Sequence, residues 1–173
     1  MAAYQWSRLD DAAAAFDRAR ESSFDEVAAI AGYNLGVMLG KLERSAEAVA
    51  VYDEMVARYG EDPTPAQREQ VAKALYGKGV RLGALGRSTE ALAVYDEVVA
   101  RYGEDLAPAL REQVAAALYN KGVALGALGR STDELAVYDE VVARYGEDPA
   151  PALREVVARA VSALQEPGPR QEG

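Results

Sequence analysis

The stretch that decides the fold is LYGKGVRLGALGRSTEALAVYDEVVARYGEDLAPALREQVAAA at residues 75–117, which residues 118–160 repeat as LYNKGVALGALGRSTDELAVYDEVVARYGEDPAPALREVVARA. The two copies agree at 36 of 43 positions. The same 43-residue spacing separates Tyr33 from Tyr76 and Tyr76 from Tyr119. A fixed period of about 20 to 50 residues indicates an array of stacked structural units.

Each unit carries two patterns typical of amphipathic helices. In residues 62–103, apolar or small residues recur at three- and four-residue spacing, first at Val71, Leu75, Gly79, Leu82 and Leu85, then at Ala91, Tyr95, Val98, Val99 and Tyr102. Asp62 is the predicted N-cap of the first helix, with Pro63 at its first position. Gly86 is the predicted C-cap, and Ser88 the next N-cap. Glu97 and Arg101 are spaced for an ion pair within the second helix.

These patterns predict eight helices and no strand. The predicted helices are residues 7–21, 24–42, 45–59, 63–85, 88–102, 106–128, 131–145 and 150–165. Residues 1–165 then form one array, with a half repeat at 7–21, repeats at 24–60, 63–103 and 106–146, and a capping helix at 150–165. Residues 166–173 contain two prolines and are predicted to be a disordered tail.

Composition argues against several classes of function. A net charge of −9 and a pI of about 4.6 disfavour nucleic acid and anionic membranes as partners. Because the chain lacks cysteine and histidine, we expect no disulfide, no metal, no cofactor and no histidine base. No apolar run approaches the roughly 20 residues of a membrane span, and the N-terminus lacks signal-peptide features. We therefore expect a cytoplasmic protein, and 15 arginines against 4 lysines suggest a GC-rich bacterial genome.

The repeat resembles the tetratricopeptide repeat. Tyr33-Asn34-Leu35-Gly36 and Tyr119-Asn120-Lys121-Gly122 match the family's first helix, in which a large residue and a glycine lie close together. Ala48 with Tyr52, and Ala91 with Tyr95, match its second helix. The resemblance covers about residues 7–164 and implies an all-α, right-handed superhelix, an α-solenoid of helix–turn–helix repeats. It also implies a non-enzymatic module for protein–protein interaction.

Three features depart from the family pattern. The usual period is about 34 residues, and we expect the additional residues here to lengthen the first helix at its N-terminal end. Glu134 occupies the place of Ala48 and Ala91. Its spacing from Ser131 predicts a capping box, without which the last helix pair would be looser. The chain also begins near a second helix, whose first-helix partner is missing or reduced to residues 4–6.

One stripe of the first helices is the candidate ligand site. In the family this stripe lines a concave groove, and the resemblance places eleven residues on it: Ile30, Tyr33, Asn34, Val37, Lys41, Lys73, Tyr76, Val80, Tyr119, Asn120 and Val123. The three tyrosines are predicted anchors, the two asparagines hydrogen-bond partners, and the two lysines contacts for an acidic group. The alternative is that these tyrosines pack between neighbouring repeats. Tyr52, Tyr95 and Tyr138 are predicted core residues.

Two other motifs are better explained by the structure of the repeat than by a catalytic or phosphate-binding role. The carboxylate pairs at 53–54, 96–97 and 139–140 recur with the repeat, and adjacent helical side chains diverge, which indicates a solvated face rather than a catalytic pair. Gly79, Gly83 and Gly86 follow no predicted strand, so close helix approach explains them better than a phosphate loop. No enzymatic activity is expected.

Two functional hypotheses follow. The first is a module that binds a peptide or helix of a partner protein in the concave groove. The second is self-association into a dimer or filament through apolar edges at the array ends. The residues proposed for those edges are Trp6, Ala13 and Phe16 at one end, and Val157, Val161 and Leu164 at the other.

Overall fold

The computed structural model describes the backbone of residues 2–61 and 63–165, and the side chains of these residues from Leu9 onward. Within them it contains eight α-helices and no strand. The helices are α1 (Ala2–Ala19), α2 (Asp25–Lys41), α3 (Ser45–Tyr59), α4 (Pro65–Ala84), α5 (Ser88–Tyr102), α6 (Pro108–Ala127), α7 (Ser131–Tyr145) and α8 (Pro151–Gln165). The prediction of an all-α fold built from helical repeats is confirmed.

Proline fixes where the first helices begin. α4 and α6 start at Pro65 and Pro108, two residues after the predicted starts. A residue before proline is disfavoured in the α region, and Thr64 and Ala107 accordingly have ψ angles of 161° and 126°. The predicted start at Pro63 was therefore wrong. Thr64 is the N-cap, and it forms a capping box with Gln67. Asp62, the predicted cap, lies outside the described residues.

The helices α2, α4 and α6, each the first helix of a repeat, end in the same type of turn. The N–H groups of Gly86 and Arg87 donate to the carbonyls of Gly83 and Leu82, which is the Schellman arrangement. Gly86 and Gly129 occupy its left-handed position with φ of 72°, and Glu43 takes the same position after α2 with φ of 60°. The C-cap of α4 is Leu85, one residue before the predicted Gly86. Ser88 and Ser131 are the first residues of their helices and do not precede them as N-caps.

The N-terminal helix is longer than predicted. α1 begins at Ala2, so residues 4–6 belong to it and are no remnant of a separate helix. Ala13 is 5% exposed in a core cluster with Leu35 and Leu39, and Phe16 packs against that cluster. Ala13 is therefore a core residue and not part of an exposed edge. The side chain of Trp6 lies outside the described residues.

The helices group into two compact units, residues 1–87 and 88–173. In unit 1, α1 packs on α2, α2 on α3 and α3 on α4, and α2 also contacts α4. In unit 2, α5 packs on α6, α6 on α7 and α7 on α8, and α6 also contacts α8. The first helices α4 and α6 have 20 residues each, against 15 in α3, α5 and α7. The single array over 1–165 stays a prediction, and the tail at 166–173 lies outside the described residues.

The predicted core tyrosines are buried in both units. Tyr52, Tyr95 and Tyr138 are between 2% and 3% exposed. The predicted helical ion pair also forms, with a carboxylate oxygen of Glu97 2.6 Å from a guanidinium nitrogen of Arg101. No described helix combines the length and apolar character needed to cross a membrane.

Candidate ligand-binding cleft

Two glycines create the floor of a cleft in unit 1. A Cβ atom built on Gly36 of α2 would lie 2.3 Å from the Tyr52 ring, and one built on Gly77 of α4 would lie 2.8 Å from it. Carbon atoms at such distances overlap, so neither position has room for a side chain. The ring of Tyr52 therefore fits between two first helices that approach it closely. The same arrangement occurs in unit 2, where a Cβ atom built on Gly122 would lie 2.4 Å from the ring of Tyr138.

The cleft opens above Tyr52 between α2 and α4 and encloses about 280 Å³. It is lined by Tyr33, Gly36, Val37, Gly40, Lys41, Tyr52, Tyr76, Gly77, Val80 and Arg81. Five residues predicted for the ligand site thus lie together: Tyr33, Val37, Lys41, Tyr76 and Val80. Tyr33 is half-buried, with its ring centroid 6.4 Å from that of Tyr52. Tyr33 combines both sequence interpretations, since it packs against the core cluster of unit 1 and also lines the cleft.

Three predicted residues of unit 1 do not line the cleft. Ile30 is 48% exposed elsewhere on α2, beside Val27 at 50%. Asn34 is half-buried, and its counterpart in α4 is Gly77, which has no amide. The Nζ atom of Lys73 lies 2.6 Å from a carboxylate oxygen of Glu69, so this cation is already paired within α4.

One end of the cleft is basic. The guanidinium of Arg81 lies over Gly40 and donates to its carbonyl oxygen at 3.2 Å. Lys41, in the last turn of α2, is exposed beside it. No aspartate or glutamate is among the described residues that line the cleft. Burial and the nearby Tyr33 raise the pKa of Tyr52, which keeps this phenol neutral. The cleft therefore carries two positive charges and no negative one.

In unit 2 the matching surface is occupied by the chain's own charges. The guanidinium carbon of Arg159, from α8, lies 4.1 Å from the centroid of the Tyr119 ring. Tyr119 in turn contacts Tyr138, with a centroid distance of 5.4 Å. Asn120 is half-buried and Val123 is 47% exposed. The predicted anchor Tyr119 is thus covered on one face by a cation.

Glu134 does not form the predicted capping box. Its carboxylate accepts a hydrogen bond from the hydroxyl of Tyr138 at 3.3 Å. It also lies beside Gly126 of α6, where an added Cβ would be 2.6 Å from a carboxylate oxygen. Because Gly126 leaves this space, the larger residue is accommodated and α6 and α7 stay packed. Burial and the neighbouring carboxylate of Glu134 raise the pKa of Tyr138.

The paired carboxylates lie on an exposed face and form ion pairs. Asp53 of α3 is 2.5 Å from the Nζ atom of Lys78 in α4, and Asp96 of α5 is 2.5 Å from that of Lys121 in α6. Glu54 pairs with Arg20. Among the described residues, no three potential metal ligands of the histidine, cysteine or carboxylate type cluster together.

Sequence reasoning missed Arg81 and the glycines beside it. The signal was present, because Gly77 and Arg81 are two of the seven positions at which residues 75–117 differ from 118–160. Glu134 and Arg159, which occupy the matching surface of unit 2, are two more. Four of the seven differences between the near-identical repeats therefore lie either at the open cleft of unit 1 or at the matching surface of unit 2. The prediction of close approach was wrong at Gly83 and Gly86, since nothing lies within 4 Å of a Cβ atom added to either residue.

Comparison with known proteins agrees with the repeat geometry. No curated protein and no solved structure shows significant similarity to the chain. A family model described as the tetratricopeptide repeat matches residues 1–63 and 76–149. This match covers most of the chain, including α2, α3 and the parts of α4 that form the cleft from Tyr76 onward. Helix pairs, glycine–tyrosine packing and the family match together assign the chain to the tetratricopeptide repeat family.

Proposed function

We propose that this protein is a non-enzymatic interaction module that binds a peptide or helix of a partner protein in the cleft of unit 1. Tetratricopeptide repeats generally mediate protein–protein interactions. The observation that carries the proposal is the lining of this cleft, where two half-buried tyrosines and two valines surround an open apolar space with a basic end. Apolar anchors beside a few polar groups are typical of peptide-binding surfaces.

Tyr33 and Tyr76 are the proposed anchors. Aromatic side chains contribute large contact areas at a low entropic cost, and truncating one at the centre of an interface often costs about 2 kcal/mol or more. Val37 and Val80 extend the apolar wall. Ile30 and Val27 lie on α2 outside this lining, and both are about half exposed. Asn34 could donate to or accept from the bound backbone at its edge.

The test is affinity capture from a lysate of the cells that produce the chain. The wild type is compared with a Tyr33→Ala/Tyr76→Ala variant, and Tyr119→Ala in unit 2 serves as the matched control because Arg159 covers that ring. We expect a partner that wild type and Tyr119→Ala retain and the double variant loses. Circular dichroism establishes that each variant is folded.

A second cleft variant separates binding from folding, since Tyr33 also packs against the core of unit 1. Val80→Gln narrows the cleft and leaves the tyrosines in place, and we expect it to lose the same partner. A partner held equally by wild type and by both cleft variants would rule out this site.

Self-association remains the alternative function. It is less supported, because Ala13 is buried and Phe16 packs on the core, while Val157, Val161 and Leu164 are half-buried in α8. Light scattering over a hundredfold range of concentration distinguishes the two. A mass that stays at 18.5 kDa contradicts self-association.

A further inference from the structure

We infer that the basic end of the unit 1 cleft recognises the carboxylate of an aspartate or glutamate side chain in the bound segment. This acidic residue would lie next to an apolar residue held by Tyr33 and Tyr76. The inference rests on the proposed function, and it adds the chemistry that selects one peptide over another. Four observations carry it.

The first observation is the geometry of Arg81. Its hydrogen bond to the Gly40 carbonyl uses one donor of a guanidinium that has five. That bond fixes the group at the cleft, and a fixed arginine fork binds a carboxylate at a smaller entropic cost than a free one. A Cβ on Gly40 would lie 2.9 Å from the same Nη1 atom, so the missing side chain gives the guanidinium its place.

The second observation is the absence of a counter-ion. The side chains of Arg20, Arg44, Arg58, Lys73 and Lys78 in unit 1 each lie within 4 Å of a carboxylate. Across the described residues, neither Lys41 nor Arg81 has such a carboxylate partner. Two cations that share one cleft without an anion form a site for an anionic group from outside.

The third observation is charge contrast. The chain as a whole carries a net charge of −9, which would repel an acidic segment at most places on its surface. A local pair of cations therefore defines where such a segment can bind. Electrostatic complementarity of this kind contributes mainly to specificity and suppresses binding elsewhere.

The fourth observation is that repetition does not explain the cation pair. The counterparts of Lys41 in the next repeats are Ala84 and Ala127, and those of Arg81 are Met38 and Ala124. Among the repeats, only α2 and α4 together supply a cation at both positions. Unit 2 instead places the carboxylate of Glu134 next to Gly126, the counterpart of Gly40.

A displayed library tests the inference. The probe is a pool of random 12-residue peptides held between linkers, so that none presents a free carboxyl terminus. The full chain selects from it in parallel with Lys41→Gln/Arg81→Gln and Tyr33→Ala/Tyr76→Ala. We expect wild type to enrich peptides with an acidic residue near an apolar one, and the glutamine variant to lose that acidic preference.

A double-mutant cycle on the best enriched peptide distinguishes recognition from a structural role of Arg81. Replacing the acidic residue of the peptide by its amide should weaken binding to wild type about tenfold, the size expected for charge-assisted hydrogen bonds. The same replacement should change binding to the glutamine variant less than about twofold. A merely structural role would weaken both peptides equally in the variant.

Several outcomes overturn the inference. If wild type enriches apolar peptides without acidic residues, and Tyr33→Ala/Tyr76→Ala loses them, the basic end has no such role while the proposed function survives. If an acidic preference persists in the glutamine variant, the carboxylate binds elsewhere. If nothing enriched depends on Tyr33 and Tyr76, the proposed function fails together with the inference.

Discussion

At the scale of single residues, glycine has different roles at positions that look alike in sequence. Gly36 leaves space for the ring of Tyr52, whereas nothing lies within 4 Å of a Cβ added to Gly83. Gly86 and Gly129 adopt a positive φ, which glycine tolerates without strain. The repeat period shows that these residues recur, but the neighbours of each one determine why it is a glycine.

Gly36 and Gly83 give a matched pair of substitutions to alanine. Gly36→Ala should lower the free energy of unfolding by about 1–3 kcal/mol, because the new methyl group overlaps the Tyr52 ring. Gly83→Ala should raise it by about 0.5–1 kcal/mol, because alanine favours the helix and meets no neighbour. Urea unfolding measures both changes. Equal effects of the two substitutions would contradict the packing described for Gly36.

Glu43 is the non-glycine residue with a positive φ among those described, at 60°. A left-handed conformation costs a non-glycine residue about 1–2 kcal/mol, and glycine gives back about half of that through its freedom in the unfolded chain. Glu43→Gly should therefore stabilise the protein by about 0.5–1 kcal/mol.

The control is Glu43→Ala, which removes the carboxylate but keeps the strained conformation. Thermal unfolding compares the two variants with wild type. A melting temperature of the glycine variant no higher than that of the alanine variant would show that this turn carries no strain.

At the scale of helices, ionic contacts hold α8 to the rest of unit 2. Asp148, just before α8, accepts a hydrogen bond from the N–H of Ala150 at 2.9 Å and lies 2.5 Å from Arg111 of α6. The backbone hydrogen bond and Arg111 lower the pKa of this carboxyl group. Arg159 of α8 lies on the Tyr119 ring of α6. Arg159 of α8 thus covers a ring whose counterpart in unit 1, Tyr33, lines the open cleft.

The lowered pKa of Asp148 predicts how its contribution depends on pH. An aspartate has a pKa of about 3.9 in an unfolded chain, so this carboxylate stabilises the fold above about pH 4. The contribution should disappear as the pH falls through the lower pKa of the folded state. Asp148→Ala should therefore melt below wild type at pH 5 and 7, with a gap that shrinks below pH 4.

Melting curves of both proteins at pH 7, 5, 4 and 3 measure that gap. A gap that persists undiminished at the lowest pH would show that Asp148 stabilises the protein without its charge.

At the scale of the whole molecule, charge is set by carboxylates, lysines and arginines alone. The chain has 28 acidic residues, 19 basic residues and no histidine. None of its unperturbed side chains changes charge between pH 6 and 8, and the α-amino group adds at most one charge. The net charge should stay near −9 in this range, and solubility should be lowest near the pI of about 4.6.

Electrophoretic mobility and turbidity against pH check this expectation. A selected acidic peptide should likewise bind unit 1 with the same affinity at pH 6, 7 and 8, because the chain contains no histidine. A change in the affinity of more than about threefold between pH 6 and pH 8 would contradict this expectation.

Much of the fold could be predicted because the repeat supplies the same signals more than once. The boundaries of α3, α5 and α7 agree with the predicted ones, since each helix begins at a serine and ends before a glycine. The starts of α4 and α6 were missed by two residues, because the restriction that Pro65 places on Thr64 outweighed the capping preference of Asp62. Five candidate site residues lie in one cleft, but Arg81 was missed, because the prediction followed residues that recur with the repeat and the counterparts of Arg81 are Met38 and Ala124.

The sequence by itself determined the helical repeat, the buried tyrosines and the acidic charge, because periodicity, capping residues and composition are local properties that hold wherever the chain is placed. Only the tertiary structure decided which of the equivalent surfaces is open. Tyr33 and Tyr119 occupy the same place in the repeat, yet one faces a cleft and the other lies under Arg159 from a helix 40 residues further along the chain. Which distant residues come into contact depends on how the helices pack, whereas the repeat pattern gives Tyr33 and Tyr119 the same position.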